Sequence, residues 1–292
     1  MKAAAAAPDL PFVRRLEAIG FRSWPAAQTT FDGSWALRLT PSHPSRRLNS
    51  VNPLDPGDTA RLRERIERAV ERMALFGRRP CFRLSPLAPP VLDARLDALG
   101  WERGGETATL AGALDAMDLR PGTDIVPLRD TARWLDAAAA VGAFAPVLRP
   151  GMAEIVTAIR PQATGAGAAG EGPVRMYLAE DPDGTPLAVC LAVQFGTLVG
   201  LFAIATAAER RREGHARRLV ASALVAARRN GATQCWLQVE RANRAAAALY
   251  ERLGMAERYG YHYRVAPPAG SPNGNAPNGD VPNGDAPNGD PA

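Results

Sequence analysis

Two hydrophobic periods alternate along the chain: short runs that are continuously apolar or alternate every second residue, and longer segments with an apolar residue every three or four positions. The clearest succession lies between Val199 and Met255. Val199 to Ala207 is apolar and charge-free, which predicts a buried strand rather than a helix of that length. After an arginine-rich turn, Leu219, Val220, Ala223, Leu224 and Ala227 follow helical spacing, and Asn230-Gly231 supplies a stop. Thr233 to Val239 is rich in strand formers. Asn243 suits an N-cap, Ala246, Leu249, Tyr250 and Leu253 share one helical face, and Gly254 ends that helix. The predicted order is strand, turn, helix, strand, helix.

The first third of the chain carries a related succession. Phe12 to Ile19 is a short amphipathic helix ending at Gly20, and Gln28 to Thr40 a hairpin turning at Asp32-Gly33. Arg46 to Pro53 reads as a strand. A helix capped by Asp58 follows, with Leu62, Ile66, Ala69, Val70 and Met73 as its stripe and Gly77 as its end. Pro80 to Leu84 is a strand, Pro89 to Leu99 a helix and Trp101 to Leu110 a strand. Ala111 to Thr123 is the expected linker. Beyond it lie a strand at Asp124 to Leu128, helices at Thr131 to Val141 and Met152 to Ile159, and strands at Val174 to Ala179 and Leu187 to Phe195. The last strand carries Tyr259, Tyr261 and Tyr263 on one face, a stripe suited to sheet packing. From Ala266 the PNGD-type repeats lack an apolar face and predict a disordered tail. The fold class is therefore α/β (α+β): two mixed-sheet units packed with helices, residues 1–117 and 118–265, then the tail at 266–292.

Composition narrows the function classes. A chain of 292 residues with 46% apolar content can bury one large or two ordinary cores. Its formal charge of +5 suits acidic ligands without pointing to nucleic acid, and Lys2 is the only lysine, so abundant arginine reflects composition more than a polyanion partner. Cys81, Cys190 and Cys235 are scattered, and the histidines are only His43, His215 and His262, which argues against a metal site, a disulfide scaffold or a Cys/His nucleophile. The N-terminus reads too weakly apolar for a signal peptide, and no apolar stretch approaches the ~20 residues of a membrane span, so a cytoplasmic protein is expected. Thr164 to Gly170 matches G-x-G-x-x-G literally. A dinucleotide fingerprint needs a strand before it and a helix after, whereas here a Pro-containing loop precedes and Pro173 with a strand follows.

The chemistry gathers where the 199–207 strand meets its helix. Arg210, Arg211, Arg212, Arg217 and Arg218 surround Gly214 at a helix start. Unpaired N–H groups, a glycine permitting close approach and guanidinium groups together make a phosphate site. Arg211-x-x-Gly214-x-Ala216 resembles the pyrophosphate loop of the GNAT superfamily of acyl-CoA-dependent N-acetyltransferases. The stretch Val239, Asn243, Ala246, Leu249-Tyr250 and Gly254 is similar to that family's next helix.

The resemblance implies an N-acetyltransferase that uses acetyl-CoA as co-substrate, needs no metal, and acts on an amine-bearing small molecule or peptide, with neither nucleic acid nor membrane as partner. It further implies that Ile204, Ala205 and Thr206 line the pantetheine arm, that Arg211, Arg212, Glu213, Gly214, His215, Ala216 and Arg217 form the pyrophosphate loop, and that Asn243 lies near the pantetheine. Tyr250 would protonate the departing thiolate. No carboxylate lies on the strand before the loop, so Glu240, at the end of the neighbouring strand, is the candidate general base, beside a water relay or a plain solvated charge. A non-catalytic CoA-binding sensor and a basic nucleic-acid module are the competing classes. The first third also resembles a GNAT unit: aligned on Gly100 and Gly254, Leu96 falls at Tyr250 and Pro89 at Asn243, and aligned on Gly57 and Gly214, Leu54 falls at Arg211. That half is expected to keep the shape without the chemistry.

Overall fold

The structure, a computed structural model, describes residues 8–119, 125–159 and 174–268. The predicted tail beyond 268 and the glycine-rich Thr164 to Gly170 lie outside these residues. In chain order the first half comprises α1 (Leu10–Ser23), β1 (Gln28–Asp32), β2 (Trp35–Leu39), β3 (Ser50–Pro53), α2 (Leu62–Leu75), β4 (Cys81–Leu84), α3 (Pro90–Ala98) and β5 (Glu102–Ala113). The second comprises α4 (Thr131–Ala140), α5 (Arg149–Ala158), β6 (Val174–Glu180), β7 (Pro186–Phe195), β8 (Leu198–Thr206), α6 (His215–Arg229), β9 (Gln234–Glu240), α7 (Arg244–Arg252) and β10 (Ala256–Val265).

All these strands form one mixed sheet in the order β1-β2-β3-β4-β10-β5-β9-β8-β7-β6. From either edge the pattern is the same: three antiparallel strands, a parallel neighbour, then the last strand of the other half. The two mixed-sheet units expected are joined in a single continuous sheet, because each half gives up its final strand. β10 lies between β4 and β5, and β5 between β10 and β9. Neither half by itself completes its ladder, and the exchange leaves no unpaired edge at the centre.

Helices cover both faces of the second half. α6 and α7 lie against Ala188, Cys190, Leu201, Cys235 and Leu237. α1, α4 and α5 close the opposite face over Val189, Leu191, Phe202 and Trp236. Leu219, Val220 and Leu224 of α6 are fully buried, each contributing about 1.5–3 kcal/mol. In the first half α2 and α3 cover a cluster in which Phe82 meets Trp35 and Trp101 edge-on.

Several boundaries differ from the sequence expectation. α1 continues through Gly20 to Ser23; Gly20 lies inside the helix, where it faces the Trp236 indole, instead of ending it. Asp58 does not cap α2; the preceding residue is Arg61 in left-handed conformation, and Asp58 accepts hydrogen bonds from Ser34 and Arg65. β3 starts only at Ser50, β5 runs three residues past Leu110 to pair with β9, and the strand expected before Leu128 contributes a single bridge from Leu128 to Met176.

Candidate active site

β8 and β9 are parallel neighbours whose pairing stops after Gly200 and Trp236. Beyond that point β8 remains paired with β7 as far as Thr206, and β9 with β5 as far as Glu240. The sheet therefore opens between β8 and β9. β8 also carries one extra residue: Val189 faces Ala205 while Leu191 faces Phe202, and Ala203 between them has φ of 47°. Such a bulge turns the strand locally and re-aims its backbone groups. Leu201 and Ile204 pack toward α6, whereas Phe202 and Ala203 pack toward the opposite face. Ile204, Ala205 and Thr206 thus lie on the open stretch, and the Thr206 hydroxyl is buried with no hydrogen-bond partner.

A tight turn joins the end of β8 to α6. Arg212 and Gly214 have φ of 66° and 84°, and Gly214 caps α6 without a side-chain hydrogen bond. The N–H groups at the start of α6 are therefore free of a side-chain cap, in the geometry that receives anions. A Cβ at Gly214 would meet no atom within 4 Å, so the glycine answers to the backbone conformation and leaves the approach open. Ala216 is buried under the helix, and Arg212 and Arg217 are exposed. Glu213 accepts from Arg210 at 3.0 Å and lies 3.0 Å from His215 Nε2; those two partners, His215 first, hold its carboxyl below the ordinary value. The acidic side chain next to the α6 start is thereby paired. Arg211 is half-buried, and its Nε has no partner.

Asn243 caps α7 as its sequence suggested, accepting from the Ala246 N–H at 3.0 Å. Two turns on, Tyr250 is fully buried and its hydroxyl has no partner. Burial and the neighbouring Cys190 push its pKa upward, so the phenol keeps its proton across the physiological range. Glu240 is half-buried at the end of β9, where strand alternation puts it on the face shared by Trp236 and Gln238, opposite the α6 and α7 side.

On that opposite face lies a small cavity that sequence reasoning missed. Its lining includes Glu17 of α1, Arg38 of β2, Arg83 of β4, Phe202 of β8, and Trp236 and Gln238 of β9. Glu17 is held by both terminal nitrogens of Arg83 and by the Tyr259 hydroxyl at 2.6 Å. Desolvation would raise its pKa, but Arg83 outweighs this and keeps it below the usual carboxylate range. The tyrosine stripe serves this polar layer as well as packing: Tyr261 donates to Gln238 at 3.3 Å and accepts from Arg47. One signal was legible, since Glu17 interrupts the apolar face of α1 formed by Val13, Leu16 and Gly20, and Arg38 and Arg83 lie within otherwise apolar strands.

A mixed sheet that opens between parallel strands, an uncapped glycine turn at one end of the opening and a buried tyrosine from the next helix define the GNAT acetyltransferase fold. Residues 12–264 match the sequence profile of the family described as "Probable histone acetyltransferase Rv0428c C-terminal". The chain belongs to this family and is an acyl-CoA-dependent acetyltransferase. It is 26% identical over 262 residues to the uncharacterized N-acetyltransferase YobR of Bacillus subtilis (strain 168), covering 87% of this chain and 98% of that protein. Among solved structures it is similar to a GCN5-related N-acetyltransferase from Kribbella flavida, with TM-score 0.63, 18% identity, and 90% and 98% of the two chains covered. It is also similar to a tandem GNAT protein from the clavulanic acid biosynthesis pathway, with TM-score 0.56, 17% identity, and 91% and 90% covered. Among the described residues no helix is long and apolar enough to cross a membrane.

Proposed function

We propose that the chain transfers an acetyl group from acetyl-CoA to a primary amine by direct attack, with Tyr250 as general acid. The observation that carries this reading is the buried, unpartnered Tyr250 hydroxyl on the helix that follows the β8/β9 opening. A buried donor without a partner costs about 1–3 kcal/mol, and a ligand atom in the opening would relieve it. Thr206 Oγ1 and Arg211 Nε, also orphaned, lie on the strand and turn that the donor would follow. These three atoms, together with the uncapped start of α6, fit acetyl-CoA. Backbone groups of Ile204, Ala205 and Thr206 would hold the pantetheine. The N–H groups and side chains from Arg211 through Arg217, with Glu213, Gly214, His215 and Ala216 shaping the turn, would hold the pyrophosphate. Asn243 acts by setting the start of α7 and hence the place of Tyr250.

The amine nitrogen attacks the thioester carbon, the C–S bond breaks as the tetrahedral intermediate collapses, and the thiolate takes the Tyr250 proton. The amine proton passes to Glu240 directly or through water, which the shared face of Glu240 and Gln238 favours. Residues 1–117 act as a degenerate GNAT unit and 118–265 as the catalytic one, a reading supported by the mirrored strand order. The acceptor is an amine-bearing small molecule or peptide, and the protein works in the cytoplasm.

Tyr250→Phe keeps the ring and its packing and deletes the donor. With an accepted amine at saturating acetyl-CoA, turnover is expected to fall at least ~10-fold, within the usual range for a lost general acid, with near-normal acetyl-CoA affinity. Wild-type turnover by the Phe protein at every pH would refute the role.

A further inference from the structure

The β8/β9 opening is a wedge whose two ends differ. Its wide end leads to the arginine-rich turn and the uncapped start of α6. Its closed end is the last paired level, Gly200 beside Trp236. A CoA thioester carries its pyrophosphate and its acyl group on opposite ends of the pantetheine arm. With the pyrophosphate at the α6 turn, the arm runs down the wedge, and the acyl group is the part nearest the closed end. What stands there therefore sets how long that group can be.

The closed end is walled by aromatic rings. Phe202 follows Gly200 by two residues on β8 and so lies on the same face of the sheet. Its ring folds back over that glycine: a Cβ on Gly200 would come within 2.8 Å of Phe202 Cε2 and 2.9 Å of the Trp236 indole. The Phe202 and Trp236 rings meet edge-on at 5.4 Å, and Trp24, at the end of α1, stacks on Phe202 at 5.3 Å, nearly parallel. Each ring is braced by another, and a close-packed wall yields little. Behind Phe202 and Trp236 lies the small cavity under α1, about 20 Å³, room for one water molecule. On the other face of the sheet Val199, Leu201, Cys235 and Leu237 are buried against α6 and α7. The tip of the wedge is thus packed on both faces.

We propose that Phe202, braced by Trp236 and Trp24 and given its place by Gly200, is the stop that limits the transferred acyl group to acetyl. The inference rests on the acetyl-transfer reading above and adds the residue that selects the donor. A two-carbon group ends short of the rings. Each further methylene has to enter space that the rings occupy, and overpacking of this kind is unfavourable. Phe202 flanks the wedge and also lines the cavity behind it, so removing its ring joins the two spaces and makes room for a longer chain.

The test uses the full chain and calorimetry with free CoA and with acetyl-, propionyl-, butyryl- and hexanoyl-CoA, so that no amine is needed. The wild type is expected to bind acetyl-CoA at least ~10-fold more tightly than butyryl-CoA. Phe202→Ala should erase that difference. Because the loss of a packed ring can unfold the protein, Phe202→Leu is measured beside it; it should bring propionyl-CoA level with acetyl-CoA while hexanoyl-CoA stays weak. Equal affinity of the wild type for all the acyl-CoAs, or a preference for acetyl-CoA that neither variant relaxes, would overturn the proposal. Free CoA separates this inference from the reading it rests on. If CoA binds and chain length makes no difference, the stop alone fails; if neither CoA nor acetyl-CoA binds, the acetyl-transfer reading fails with it.

Discussion

The two turns that start α2 and α6 occupy mirrored places in the sheet, each between the third strand of its half and the helix that follows. Both end on a left-handed residue without a side-chain cap, Arg61 with φ of 48° and Gly214 with φ of 84°. Their charges are opposed. The turn before α6 carries Arg210, Arg211 and Arg212 and ties its Glu213 to Arg210 and His215. The turn before α2 carries Asp55 and Asp58, and Asp58 is spent on Ser34 and Arg65. One helix later the contrast repeats: Tyr250 and Leu96 are both fully buried, but only Tyr250 brings a hydroxyl, and that hydroxyl has no partner. The same backbone frame thus carries an arginine-rich turn in one half and an internal ion pair in the other. The difference lies in a handful of side chains, because the frame supplies only the uncapped helix and the opening.

The comparison is broken most severely by separating the halves. A chain cut after Met117 lacks β10, which lies between β4 and β5. Residues 1–117 alone are expected to lose cooperative unfolding altogether, and adding residues 118–268 in trans should restore it; circular dichroism against denaturant reads both outcomes. If the fragment unfolds cooperatively by itself, the strand exchange is dispensable.

Swapping single charges sharpens the contrast between the two turns. Arg211→Ala should weaken acetyl-CoA binding by about 1.5–3 kcal/mol through a lost charge-assisted contact, with little change in stability. Asp58→Ala should do the reverse, costing about 1–3 kcal/mol of stability by removing the hydrogen-bonded carboxylate from the buried Arg65, which keeps only its contacts to Asp32 and Trp35, while leaving acetyl-CoA affinity intact. Calorimetry and denaturant melts on both proteins decide it. An affinity loss in the Asp58 variant equal to that in the Arg211 variant would remove the distinction.

The smallest effect concerns the seam between halves. Asp93 of α3 accepts from Arg264 at 2.7 Å and lies 3.2 Å from His262 Nε2, joining the first half to the strand it receives. Desolvation would raise its pKa, but these hydrogen bonds prevail and hold it below the ordinary value. A depressed carboxyl stabilises the fold fully above its unfolded pKa of about 4 and loses that contribution as pH falls through the lower folded value. Asp93→Asn should therefore lower stability by about 1 kcal/mol at neutral pH, and the gap from the wild type should close below about pH 3. A constant gap down to acid would show that the charge does not matter.

Much of the fold was legible because its elements obey local rules. The apolar run of β8, the helical stripe of α6 and the Asn243 cap with its helix each follow from neighbours within a few residues, and all three stand where the pattern put them. The glycine turn was legible for the same reason, since φ of 84° at Gly214 is a local demand that only glycine meets cheaply. Asp58 misled because an aspartate before a helix is a good cap, and nothing nearby in sequence announces Ser34, which took its hydrogen bonds instead.

What the tertiary structure alone decided is which strands share an edge and which buried charges meet. The repeat of strand, helix, strand, helix and strand in both halves is as compatible with two closed sheets as with one. The choice depends on whether β5 and β10 pair within their own half or across, over separations of a hundred residues and more. The cavity depends on that choice. Glu17, Arg83 and Tyr259 come together only because β10 crosses to β4, so the chain by itself specified the parts of the candidate site, and long-range strand pairing determined what stands opposite it.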